Sequence, residues 1–329
     1  MHSINTLISW SKENFSDLPW RKNRSLYSTL VSEIMLQQTT VQTVLKKYEP
    51  FLKEYPTLEI LSKAELEDVL LTWRGLGYYR RARNLKSAAD EMLRFYGGEI
   101  PLEKENLLKI KGIGEYTSSA IRSIGAQKKD LAIDGNLERV LARLHAFSEP
   151  KGPKLQKKIK EEFFYGGLNF PKKINYRELN EALMDLGRMI CRPRNPQCEL
   201  CPLLKQCQAY KKNWVDKLPE KKNVSKISLT QLELLRVICL SNGKLAVYKK
   251  KKGEWLEGAW EVPTFVISCP EKTFVQYPRI KSIQKNKILK NPKQFKTSIT
   301  RYEINNKILK VSPESLKRFF QISTPLLRN

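Results

Sequence analysis

"LLKIKGIGEYTSSAI", Leu107 to Ile121, decides how the larger part of this chain folds. Apolar residues lead up to Gly112 and Gly114 and a helical run follows, so the stretch reads as a tight hairpin between helices. Glycine accepts the left-handed backbone that such a turn needs. The free backbone N–H groups at the start of the second helix can hold a phosphate without reading base sequence. The same glycines would serve an ordinary interhelix turn, so the neighbouring segments have to decide.

Downstream, "LAIDGNLERVLAR" sets Asp134 and Asn136 around Gly135, just ahead of another helical run. An aspartate there caps a helix, and it also presents a carboxylate at the helix start. Upstream, "VSEIMLQQTT" (Val31 to Thr40) places Glu33 inside an apolar run. At about 100° per residue, Leu26, Tyr27, Leu30, Val31, Ile34 and Met35 form one apolar arc, and Glu33 falls at its border. A carboxylate at such a border is partly desolvated, which raises its pKa and lets it hold a proton near neutrality. An exposed helix glutamate is the plainer alternative.

Cys191, Cys198, Cys201 and Cys207 follow the spacing C-x6-C-x2-C-x5-C. Four thiols so close together point to a metal centre. Structural zinc sites usually pair two short C-x2-C hairpins, and only one such pair is present, so an iron-sulfur cluster is expected and zinc is the rival. Cys239 and Cys269 lie elsewhere and read as small hydrophobes. With only His2 and His145 in the chain, neither a Ser-His-Asp triad nor a multi-histidine metal site is expected, and acid-base work falls mainly to carboxylates, Tyr or Lys.

The 329 residues carry 60 Lys and Arg against 34 Asp and Glu, a formal charge of +26 that calls for a polyanionic partner. Nucleic acid is expected rather than a membrane, because no long uncharged apolar run is present. "MHSINTLISWSKEN" lacks a basic region followed by an apolar core, so an intracellular setting is expected. From Leu7 to about Tyr210 the apolar residues recur at helical spacing. The lysine-rich stretch around Pro219 reads as a linker. Beyond Leu229, "LRVICL", "KLAVYKK" and "SITRYEI" are rich in β-branched and aromatic residues, with "SNGK" as a hairpin turn. The expected organisation is a mainly α domain over 1–211, a linker over 212–228 and a smaller α+β domain over 229–329.

Taken together, "VSEIMLQQT", "GLGYY", "GIGEYT", "IDGN" and the cysteine spacing resemble the helix-hairpin-helix DNA glycosylase superfamily, specifically its MutY-type adenine DNA glycosylases. The resemblance covers about residues 5 to 215 and continues at "WLEGAWEVP". It implies a helix-hairpin-helix domain with a 4Fe-4S cluster on the four cysteines, followed by a Nudix-like domain. The implied activity is removal of adenine opposite 8-oxoguanine or guanine in double-stranded DNA, by a monomer. Such an enzyme must flip adenine out of the stack, protonate the departing base and stabilise the positive charge left on the sugar. By this resemblance Glu33 is the acid and Asp134 its ionised partner, while Asn136 orients a phosphate or the catalytic water, or only finishes a turn.

Relatives of the endonuclease III type carry a lysine that forms a Schiff base where this chain has Tyr116, so base removal without efficient strand scission is expected. Trp20, Arg21 and Glu181 match positions that line the adenine pocket or hold the flipped base. Gln38, Thr39 and Tyr79 match residues that press into the stack. In the C-terminal part, Ile299, Thr300 and Arg301 stand where the family often presents Phe-Ser-His to the lesion. Thr300 is expected to donate a hydrogen bond there, and Arg301 to meet a phosphate. No Nudix catalytic box is visible, which argues against pyrophosphatase activity. Two other readings stay open: a bifunctional pyrimidine-lesion glycosylase, and a non-catalytic iron-sulfur protein that senses DNA damage.

Overall fold

The computed structural model describes residues 2–22, 24–171, 173–220, 229–251, 253–280, 293–320 and 326–328. It divides into two compact units, Met1–Lys222 and Asn223–Asn329. Residues 212–220, expected to be linker, pack on the first unit: Leu218 is buried and its carbonyl accepts from Arg143 Nε at 2.9 Å. The rest of the expected linker, 221–228, lies outside the described residues.

The first unit is helical. Its elements are α1 (His2–Phe15), α2 (Pro19–Lys22), α3 (Leu26–Leu36), α4 (Val41–Leu45), α5 (Tyr48–Glu54), α6 (Leu58–Lys63) and α7 (Leu66–Thr72). There follow α8 (Arg80–Tyr96), α9 (Lys104–Lys109), α10 (Glu115–Ala120), α11 (Gly135–His145), α12 (Pro153–Tyr165), α13 (Tyr176–Met189) and α14 (Gln208–Lys211). One hydrophobic core gathers α3 to α9 around Leu30, Phe51, Trp73, Leu85 and Leu107. A second joins α1 to α11, α12 and α13 through Leu7, Leu137, Ile159 and Leu183. The chain's first helix is thus completed by apolar residues more than a hundred positions away, as burial of an amphipathic face requires. Among the described residues no helix is long and apolar enough to cross a membrane.

The second unit is built on a sheet with β1 (Thr230–Ser241), β2 (Lys244–Lys249), β3 (Trp260–Glu261), β4 (Thr264–Ser268), β5 (Lys293–Ile299), β6 (Tyr302–Val311) and β7 (Leu326–Arg328), plus a helix over Pro313–Phe320. The order is β3-β2-β1-β6-β5, with β4 pairing β1 and β7 pairing β2. β1 and β6 run parallel from Thr230↔Tyr302 to Cys239↔Val311. Leu232 and Leu234 feed one apolar cluster and Leu235, Val237 and Cys239 another. Alternate residues of β1 are therefore buried on opposite faces. "SNGK" is the β1–β2 turn, with Asn242 and Gly243 both at positive φ. "SITRYEI" is not one strand: it spans the β5–β6 turn, where Thr300 has φ of 52° and Ile299 pairs Tyr302. Neither Gly nor Asn marks that turn, so it was not legible in the sequence.

Candidate active site

Ser25 caps α3, its side chain accepting from the Ser28 N–H, and the helix is buried continuously from Ser28 to Met35. Glu33 is therefore inside the protein, only 5% exposed. Its carboxylate meets the start of α10, where Tyr116 Oη donates to Glu33 Oε2 at 2.5 Å. Beyond α10 the helix widens into a π-turn over Ile121–Gly125, whose terminal carbonyls, Ile124 and Gly125, accept from Arg177 of α13. Asp134 caps α11: Oδ1 accepts from the Asn136 and Leu137 N–H groups at 2.9 and 2.8 Å, and Oδ2 accepts from Asn136 Nδ2 at 2.8 Å. Glu33, Tyr116, Asp134, Asn136, Trp20, Arg21, Thr39 and Glu181 all line one cleft of about 480 Å³. Elements of both helical cores thus supply its walls.

The two carboxyl groups differ in how they are held. Burial pushes Glu33 up to about 7; nearby Glu181 and Asp134 add to this, while the Tyr116 hydrogen bond and Arg21 oppose it. Burial also raises Asp134 from its ordinary value, but two backbone N–H groups and the Asn136 amide favour its charged form. One carboxyl has a single hydroxyl donor and is pushed up to about 7, and the other, though raised by burial, is held by three donors that favour its charged form.

The wall beside them is an ion network that the sequence reading caught only in part. Arg21 Nη1 lies 2.9 Å from Asp185 Oδ2, and its Nε lies 3.7 Å from Glu181 Oε1. Arg24 reaches Glu181 at 3.0 Å, while Ser11 and Arg188 hold Asp185 at 2.6 and 3.2 Å. Burial raises Glu181, and Arg21 and Arg24 offset it. Arg24 and Asp185 lack a motif that would single them out; spacing of Glu181 and Asp185 one helical turn apart is the available signal. Trp20 packs edge-on to Tyr48 at 5.7 Å while also facing the cleft, so it belongs both to the core and to the site.

Asn136 is tied in turn to the cysteine segment. Arg139 Nη2 donates to Asn136 Oδ1 at 2.9 Å and to the Gly187 carbonyl at 2.8 Å, and its Nε donates to the Cys191 carbonyl at 2.7 Å. The close crossing of α11 and α13 depends on Gly187, where an added Cβ would sit 2.7 Å from Asn136 Cβ. Cys191 follows α13, Cys198 and Cys201 bracket a 3-10 turn, and Cys207 caps α14. All four are free thiols. Burial raises Cys198 and Cys207 and pushes Cys201 up to about 12, and repulsion from the neighbouring thiolates adds to each. Such a set is short of positive charge, and Arg143 Nη1 at 3.4 Å from Cys191 Sγ supplies only part of it. Among the described residues, no three His, Cys, Asp or Glu side chains converge as a single ion requires. Cys191, Cys198, Cys201 and Cys207 offer an all-sulfur donor set of the kind that thiolate-bound metal groups take.

The remaining residues lie around this cleft or in the other unit. Gly112 has φ of 87° and Gly114 caps α10 without a side chain, leaving the first N–H groups of α10 without a side-chain cap. A Cβ on Gly112 would meet Asn84 Cβ at 2.5 Å. Gln38 is exposed with φ of 55°, and Thr39 Oγ1 accepts from Arg81 at 2.8 Å. Tyr79 opens α8 and is 39% exposed; Tyr78 before it is 62% exposed with φ of 47°. In the second unit, Thr300 sits at the β5–β6 turn, and Arg301 pairs with Glu271 at 3.0 Å instead of standing free.

Residues 31–164 match the family model described as the HhH-GPD superfamily of base excision DNA repair proteins. The chain is 36% identical over 238 residues to the adenine DNA glycosylase of Buchnera aphidicola subsp. Schizaphis graminum (strain Sg), which covers 72% of this chain and 67% of that one. Against two further Buchnera aphidicola adenine DNA glycosylases the match spans 61% and 62% of their lengths. Among solved structures, a thermostable thymine-DNA glycosylase aligns with a TM-score of 0.54 at 30% identity, over 64% of this chain and 95% of that one. A non-covalent endonuclease III–DNA complex aligns with a TM-score of 0.52 at 25% identity, over 64% of this chain and 96% of that one. Fold and site define a helix-hairpin-helix base-excision glycosylase. The chain belongs to the adenine DNA glycosylase family, hydrolases of N-glycosyl bonds.

Proposed function

We propose that this chain is a monofunctional glycosylase that hydrolyses the N-glycosidic bond of adenine opposite 8-oxoguanine or guanine in duplex DNA, acting as a monomer. The observation that carries the reading is one cleft holding a carboxyl that titrates near 7 beside a braced carboxylate. Glu33, protonated, donates to the departing adenine, which makes a poor leaving group a good one. Asp134 stabilises the positive charge that develops on the sugar and needs no rearrangement to do so. Tyr116 holds Glu33 in place, and Asn136 fixes the Asp134 carboxylate. Trp20, Arg21 and Glu181 shape the space for the flipped base.

A lysine at the Tyr116 position would offer an amine to the sugar; a phenol offers none, so the base is removed without efficient strand scission. The hairpin at Gly112 and Gly114 contacts a DNA phosphate. In the second unit, Thr300 meets the lesion strand. Cys191, Cys198, Cys201 and Cys207 would hold a 4Fe-4S cluster, which supplies a covalent crosslink of the 191–207 segment when bound. Incubation with a duplex bearing adenine opposite 8-oxoguanine is expected to liberate free adenine, and the same duplex with thymine opposite adenine to liberate none. Tight binding without release from the first duplex would favour the damage-sensing reading instead.

A further inference from the structure

Arg81, near the start of α8, spans two loops that are far apart in sequence. Its Nη1 lies 2.8 Å from the carbonyl oxygens of both Ile34 and Met35 and 2.5 Å from that of Gln37. These belong to the end of α3, where carbonyls have no partner within the helix. Its Nη2 lies 2.8 Å from Thr39 Oγ1, 3.0 Å from the Leu76 carbonyl and 3.3 Å from that of Gly77. The guanidinium also packs over the rings of Trp73 and Tyr78 at 5.5 and 5.6 Å. A single planar fork therefore satisfies oxygens on both loops at once, which an ammonium of lysine cannot match.

Each loop contains a non-glycine residue in the left-handed region, Gln38 at φ of 55° and Tyr78 at φ of 47°. Such conformations persist only where the surroundings over-determine them, and they cluster at functional sites. Both side chains are exposed. Arg81 itself does not line the cleft that holds Glu33 and Asp134.

We infer that Arg81 is a positioning residue that locks the 37–39 and 76–79 loops so that Gln38 and Tyr78 enter the duplex together and fill the space left by the flipped adenine. The inference rests on the proposed glycosylase reading. A wedge held rigid before DNA arrives spends binding energy on the duplex instead of on its own ordering. Tyr78, rather than Tyr79 alone, is then the ring that presses into the stack.

The test compares single-turnover adenine release by the full-length protein, its Arg81→Lys variant and its Thr39→Val variant. Thr39→Val removes one of the six contacts and spares the α3 carbonyls. Two duplexes are used, both with adenine opposite 8-oxoguanine: one fully paired around it, the other with mismatched pairs on either side that remove most of the stacking to be broken. On the fully paired duplex Arg81→Lys is expected to slow release by about 100-fold, as a misplacement of about 1 Å does, and Thr39→Val by less. On the mismatched duplex both variants should recover to within about threefold of the unsubstituted protein, with the same pH midpoint, because flipping there needs little wedge. Equal losses on the two duplexes, or a shifted midpoint, would overturn the inference while leaving the glycosylase reading intact. If the unsubstituted protein releases no adenine from either duplex, both fall.

Discussion

Replacing Glu33 by Gln perturbs the site in a way that stability measurements read independently of catalysis. Burial is the leading cause that pushes the folded Glu33 carboxyl from its ordinary 4.5 up to about 7. Between those values the folded state binds a proton that the unfolded state does not, so stability falls as pH rises through the window. Between about pH 5.5 and about pH 7 only the folded state holds the proton; over those ~1.5 pH units, at ~1.36 kcal/mol each, linkage gives about 2 kcal/mol. Above about pH 8 no further loss follows. The assay is urea denaturation of the unsubstituted protein and Glu33→Gln at intervals from about pH 5.5 to about pH 8.5. Titrating groups remote from Glu33 cancel in the difference. Glu33→Gln is expected to gain about 2 kcal/mol relative to the unsubstituted protein across this range. A difference flat in pH would refute the buried-acid reasoning.

Tyr116→Phe removes the hydrogen bond that lowers Glu33. The pH above which adenine release declines should therefore move upward, and a downward move or no change would count against that role. Arg21→Ala leaves Asp185 and Glu181 with a lost cationic partner in a buried wall and is expected to destabilise the first unit by about 3–5 kcal/mol, read from denaturation midpoints. Gly112→Ala forces a Cβ against Asn84 at a φ of 87°; it should cost about 1–3 kcal/mol and weaken duplex binding at every sequence alike. Cys198→Ser should lower the iron and sulfide content of the purified protein and the melting temperature with it, and unchanged iron would count against the cluster ligands.

What could be read from the sequence was local. Gly112, the Asp134 cap, the Asn242–Gly243 turn and the cysteine spacing each announce a backbone or chemical requirement within a few residues. Glu33 was legible because an acid on the edge of an apolar helical face has few places to go. Other features depend on distance in sequence. Arg81 meets carbonyls 44 to 47 residues away, and Arg139 meets Cys191 52 residues on. A basic residue on a helix looks the same to the reader whether it faces water or a set of orphan carbonyls. Asp185 and Arg24 give no signal for that reason, since charged residues at helical spacing are ordinarily a solvated face, and Arg188, expected in a basic segment near DNA, instead holds Asp185 at 3.2 Å. Arg301 was read as free for a phosphate, and only the fold of the second unit brings Glu271 to it.

The most direct measurement is strand breakage of a duplex holding adenine opposite 8-oxoguanine, incubated with the full-length protein and then divided between neutral and alkaline treatment. Breaks that appear only after alkali, in step with free adenine, are the predicted result, because Glu33 and Asp134 release the base and no amine stands at Tyr116 to open the sugar. Breaks of equal yield without alkali would contradict the monofunctional account, and the absence of breaks under both treatments would contradict the catalytic one.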